Sequence, residues 1–96
     1  MTVSNAWAED GSVTIVTPRA NETVTGDVTV TWKQERKGKA DHVHVFVDRG
    51  NMKPVVNGTS LVLRGLSKGT HTITVQAYSR DHEPLDASAS VVVKVE

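Results

Sequence analysis

The sequence predicts an all-β protein, an antiparallel sandwich of about seven strands, on three observations. Val and Thr are abundant while the aromatics amount to two Trp, one Tyr and one Phe, a composition that fills pleated sheets with β-branched side chains. Short apolar runs alternate with polar residues at a period of two, and nowhere do apolar residues recur at three and four for long enough to build a helix. Gly, Pro, Asn and Asp stand between the runs at the spacing that a sandwich or barrel requires. At 96 residues the chain is large enough for one hydrophobic core and too small for two.

Taken in order, the first strand covers 13–17 and is stopped by the segment from Pro18 to Asn21. The second, 27–33, turns Val28, Val30 and Trp32 to one side, which makes Trp32 the bulkiest core residue. A basic separator with Lys33, Arg36, Lys37 and Lys39 follows, expected as a solvated loop that can pair with Asp81, Glu83 or Asp86. The third strand, 42–48, faces Val43, Val45 and Val47 inward and His42 and His44 toward solvent. A weak fourth at 55–56 is closed by Asn57-Gly58, and a fifth at 60–64 by Ser67-Lys68-Gly69. The sixth, 70–78, points Ile73, Val75 and Ala77 to the core. On the seventh, 87–95, Val91, Val93 and Val95 compete with Val92 for the inner face.

Residues 1–11 are expected to be a flexible N-terminus or the remnant of an export signal, and residues 12–96 the folded domain. Ala6-Trp7-Ala8 before Glu9 and Asp10 has the small-x-small form of a signal-peptidase site, which points to a periplasmic or extracellular protein. Eleven basic and eleven acidic residues cancel, so no net field draws the chain to nucleic acid. No apolar run is long enough to cross a bilayer as a helix, so no membrane insertion is expected. With no cysteine, disulfides, thiolate metal sites and cysteine nucleophiles are excluded together, leaving His, Asp, Glu and Met as ligands.

The frame Thr17-Pro18, Gly26-Asp27-Val28, Val45-Phe46-Val47-Asp48 and Leu66-Ser67-Lys68-Gly69-Thr70-His71-Thr72-Ile73-Thr74-Val75 resembles bacterial immunoglobulin-like domains of exported proteins. This resemblance spans nearly the whole chain and implies an immunoglobulin-like sandwich, a fold that serves many functions. His42 and His44 before Asp48, then His71-Thr72 and His82-Glu83-Pro84, resemble a little-characterised family of His-rich small periplasmic proteins. The seven residues from His42 to Asp48 are also similar to the copper-ligand strand of copper-zinc superoxide dismutases.

His42 and His44 are two apart on a strand, so both leave one face with bases about 6.6 Å apart, near enough to tilt toward one ion. In an immunoglobulin-like sandwich the third and sixth strands are antiparallel neighbours, which brings the loop holding Asp81, His82 and Glu83 beside His42. The expected site is therefore His42, His44 and His82, with Asp81 or Glu83 as an oxygen ligand or as the acceptor that fixes an imidazole tautomer. Three imidazoles without thiolate suit Cu(II) or Zn(II), one ion per chain. His71, a strand length away, is expected to bond backbone as a structural residue, and Met52 to lie at its end of the sandwich. The function expected is metal binding by an exported, non-catalytic domain, with a protein partner allowed; the alternative is an interaction or spacer module of a bacterial surface or periplasmic protein.

Overall fold

A computed structural model describes residues 11–48, 50, 52–55 and 58–96, with the side chains of 52–55 outside that description. Among the described residues there are eight strands and no helix: β1 Gly11–Thr17, β2 Glu22–Val24, β3 Val28–Arg36, β4 Ala40–Val47, β5 Met52–Val55, β6 Ser60–Leu63, β7 Gly69–Ser79 and β8 Pro84–Val95. A three-stranded sheet runs β1-β3-β6 and a five-stranded sheet β2-β8-β7-β4-β5, so the protein is an immunoglobulin-like sandwich. Residues 1–10 lie outside the description, and with them the expected signal remnant at Ala6 to Ala8. Val56 and Asn57 also fall outside it.

Period-two alternation builds the core. Val28, Val30 and Trp32 on β3 face Val43, Val45 and Val47 on β4 and Ile73, Val75 and Ala77 on β7, all buried. Register holds the inner faces together, with Val43 opposite Ala77, Val45 opposite Val75 and Val47 opposite Ile73. On β8 the ambiguity resolves to Val91, Val93 and Val95 inward, while Val92 is exposed.

Two strands depart from expectation. Strand β2 pairs in parallel with β8, Glu22 opposite Val93 and Val24 opposite Val95; its three residues are too few to show a period. Strand β3 continues through Arg36 instead of yielding to a loop at Lys33, because β1 pairs along it as far as Gly11 opposite Arg36. Just past its end Lys37 pairs with Glu35 at 2.9 Å, both side chains exposed.

Antiparallel pairing of β4 with β7 sets His42 opposite Tyr78 and His44 opposite Gln76. Register shifts between Ala40 and His42 on β4, and between Gln76 and Tyr78 where β7 meets β8. Both irregularities lie at the end of the sheet that carries the histidines.

Candidate metal centre

His42 and His44 leave the outer face of β4, opposite the core valines, and that face is not open to solvent. They are only 5% and 3% exposed, which overturns the expectation of two solvent-facing imidazoles. The cover comes from a neighbouring strand and a loop. The Tyr78 ring stacks on His44 at a centroid distance of 3.9 Å and 24° between planes, and His82 stands edge-on to His42 at 4.9 Å. Neither Tyr78's role nor the burial can be read from β4 alone, since alternation assigns a face but not what lies across it.

His82 is placed by the turn between β7 and β8. Its N–H donates to Ser79 O at 3.0 Å, Ser79 N–H donates to Glu83 O at 3.0 Å, and Glu83 N–H donates to the Ser79 hydroxyl at 3.1 Å. The closed turn holds His82 at φ 61°, a left-handed conformation in which His, Asn and Asp are over-represented. Its imidazole is exposed.

One ring nitrogen from each of His42, His44 and His82 lies within 4.8 Å of the other two. His42 Nε2 and His44 Nε2 are 3.0 Å apart. Two nitrogens about 2.0–2.1 Å from a single ion stand about 2.9–3.4 Å apart for bond angles between square and tetrahedral, so the buried pair already has the separation of two ligands of one metal. The third imidazole is exposed and borne on a turn, with a ring nitrogen within 4.8 Å of the other two.

Protonation follows from the bonding. Asp41 Oδ2 is 3.0 Å from His42 Nδ1; a carboxylate only accepts, so His42 Nδ1 carries a proton. The His42 hydrogen bond holds the Asp41 carboxyl below its usual range, with the Arg80 and Arg36 charges adding to it. Burial pushes the His44 imidazole below the usual histidine value, and the neighbouring His42 and His82 lower it further. A neutral His44 donating through Nε2 to the lone pair of His42 Nε2 accounts for the 3.0 Å contact. His44 Nδ1 is then buried without a hydrogen-bond partner, an uncommon condition for a polar atom in a core. Three imidazoles with no thiolate form a donor set suited to Cu(II) or Zn(II). The carboxylate that meets the cluster is Asp41, where Asp81 or Glu83 was expected; Glu83 serves through its backbone, in the turn.

His71 lies at the other end of the β4–β7 pair. Its Nδ1 is 2.6 Å from Asp48 Oδ2 and its Nε2 2.7 Å from the Ser67 carbonyl, while Asp48 Oδ1 accepts the Thr72 N–H at 2.8 Å. Two acceptors on two ring nitrogens favour the imidazolium, and the Asp48 bond, followed by the Ser67 carbonyl, raises the His71 pKa. Reciprocally, the His71 bond and the Thr72 N–H lower that of Asp48. Asp48, His71 and Ser67 stand in the order of a hydrolytic triad beside an open cleft of about 430 Å³. Nε2, however, turns its proton to the Ser67 carbonyl and has no lone pair for the hydroxyl, 3.4 Å away, so the group is a structural pin. The Met52 side chain, expected near it, lies outside the described residues.

A family model described as bacterial Ig domain matches residues 12–75, a span that includes His42 and His44 and stops before His82. No curated protein sequence matches the chain. Solved structures similar to it include a fibronectin(III)-like module of CbhA from Clostridium thermocellum, at 17% identity and TM-score 0.71, covering 86% of this chain and 93% of that one. The endo-beta-1,4-mannanase from Thermotoga petrophila is similar at 12% identity and TM-score 0.71, over 90% of this chain and 20% of the enzyme. The spore cortex lytic enzyme SleM of Clostridium perfringens follows at 18% identity and TM-score 0.56, over 77% and 28%. The chain thus spans about a fifth and somewhat over a quarter of those two enzymes, and the likeness at these identities is one of fold.

Proposed function

The chain belongs to the bacterial Ig domain family, and from that premise we propose that it is an exported, non-catalytic metal-binding domain taking one Cu(II) or Zn(II) per chain through His42, His44 and His82. The observation that carries this reading is the 3.0 Å separation of two buried Nε2 atoms with a third imidazole beside them. In the metal-free protein the two facing nitrogens share one hydrogen bond; an ion taken up between them replaces that bond with two coordinate bonds. The ion enters from the His82 side, since Tyr78 lies over His44. The location is periplasmic or extracellular, as the Ala6 to Ala8 motif and the family suggest.

The test is a calorimetric titration of the full chain with Zn(II) and Cu(II) at neutral pH, beside a His82→Asn variant. Asn tolerates the left-handed backbone of residue 82, so this change removes the imidazole while keeping the turn. One ion per parent chain is expected, with roughly hundredfold weaker binding in the variant if three donors act as one chelate. At a hundred times the dissociation constant, metal should add about 2.7 kcal/mol to folding stability.

A second reading is favoured by one observation: two of the structural relatives are enzymes of which a domain like this one forms a minor part. In it the sandwich is an interaction or spacer module and the histidines pack for stability alone. Absence of binding in the parent, or equal affinity in His82→Asn, moves the conclusion to this module.

A further inference from the structure

Along a regular strand, consecutive side chains leave opposite faces, so Asp41 should point away from the face that carries His42. It does not, and the register gives the reason. Between the pairs Ala40 with Ser79 and His42 with Tyr78, β4 advances two residues and β7 one. Asp41 is therefore the extra, unpaired residue of a β-bulge, a device that re-aims a side chain. Its carboxylate comes alongside His42, with Oδ2 3.0 Å from Nδ1.

That contact selects a tautomer. Since the carboxylate accepts, the proton of a neutral His42 sits on Nδ1 and the lone pair on Nε2, the atom 3.0 Å from His44 Nε2. An unconstrained neutral histidine favours the opposite form, protonated on Nε2, whose N–H would block an incoming ion. We propose that Asp41 is a positioning residue for metal binding: the bulge-borne carboxylate holds His42 in the Nδ1–H tautomer, so that its Nε2 keeps a lone pair, which accepts the His44 N–H in the metal-free protein and turns to an ion when one binds. The inference rests on the metal centre proposed above and assigns Asp41 a part in it beyond that of the three ligands. Partly exposed Asp41 is not needed to fill the core, so its bulge position has no packing explanation.

The test uses the full chain with Asp41→Ala and two readouts. In the metal-free protein, long-range proton–nitrogen NMR of the imidazoles should show His42 protonated at Nδ1 in the parent and shifted toward Nε2 in the variant. With Zn(II) as the probe, affinity should fall about 10–100-fold, the usual effect of losing a partner of a ligating histidine. An unchanged His42 tautomer, or a changed tautomer with unchanged Zn(II) affinity, overturns the proposal while leaving the metal centre standing. No Zn(II) binding by the parent overturns the metal centre and this proposal with it. Should Asp41→Ala not fold, Asp41→Asn takes its place: a neutral amide is the weaker acceptor, a several-fold loss of Zn(II) affinity is expected, and parental affinity overturns the role.

Discussion

At Trp32 the indole is 2% exposed, and its Nε1 donates to Gln34 Oε1 at 2.9 Å, so a large apolar body is buried without stranding its polar atom. Trp32→Ala should destabilise the domain by about 3–5 kcal/mol in denaturant unfolding; a cost under about 1 kcal/mol would contradict its place in the core. This residue was legible because it shares a period with Val28 and Val30 on one strand. The burial of His42 and His44 was not, because it is produced by Tyr78 and His82, residues more than thirty positions away in the chain. Asp41 was equally hidden: adjacency in sequence argues against a shared face, and only a bulge overrides it. Its replacement tests whether a single re-aimed carboxylate prepares the site.

At the scale of elements, the pairing of β4 with β7 organises both ends of the five-stranded sheet. One end carries the histidine cluster, and the other is fastened by Asp48 and His71. Asp48 sits at φ 52°, so Asp48→Asn keeps a residue suited to that backbone and an oxygen for the Thr72 N–H while removing the charge opposite His71. The sign of the pH effect follows from linkage. His71, with its folded pKa raised, contributes stability that is fully present below its unfolded value near 6.5 and is lost as pH rises through the folded value. Asp48, with its folded pKa lowered, contributes stability present above its unfolded value near 3.9 and lost as pH falls through the folded value. The stability difference between parent and Asp48→Asn should therefore be largest between about pH 4 and 6.5 and shrink on either side, as measured by denaturant unfolding at a series of pH values. A difference that does not vary with pH would contradict the ion pair. Long strands such as β7 announce themselves by repeated alternation; β2, with three residues and one apolar side chain, has no period to detect and exists because the edge of β8 is there to receive it.

Across the whole molecule, the sandwich separates two kinds of histidine. His42, His44 and His82 gather around facing ring nitrogens at one end, and His71 is saturated by oxygen acceptors at the other. The fold class and this grouping were legible from strand order, since antiparallel neighbours in an immunoglobulin-like sandwich bring a strand start beside the loop that follows its partner. The covered character of the site was not, because the cover is Tyr78 on the neighbouring strand and His82 on the turn, and alternation along β4 carries no trace of either. The central claim is that these three imidazoles act as one chelate while the fourth stands apart. The measurement that tests it most directly is a histidine-resolved NMR titration of the full chain with Zn(II) at neutral pH. The account predicts that the ring signals of His42, His44 and His82 shift together and saturate at one ion per chain, with those of His71 unmoved. Shifts confined to His82, or spread equally over all four histidines, would contradict it.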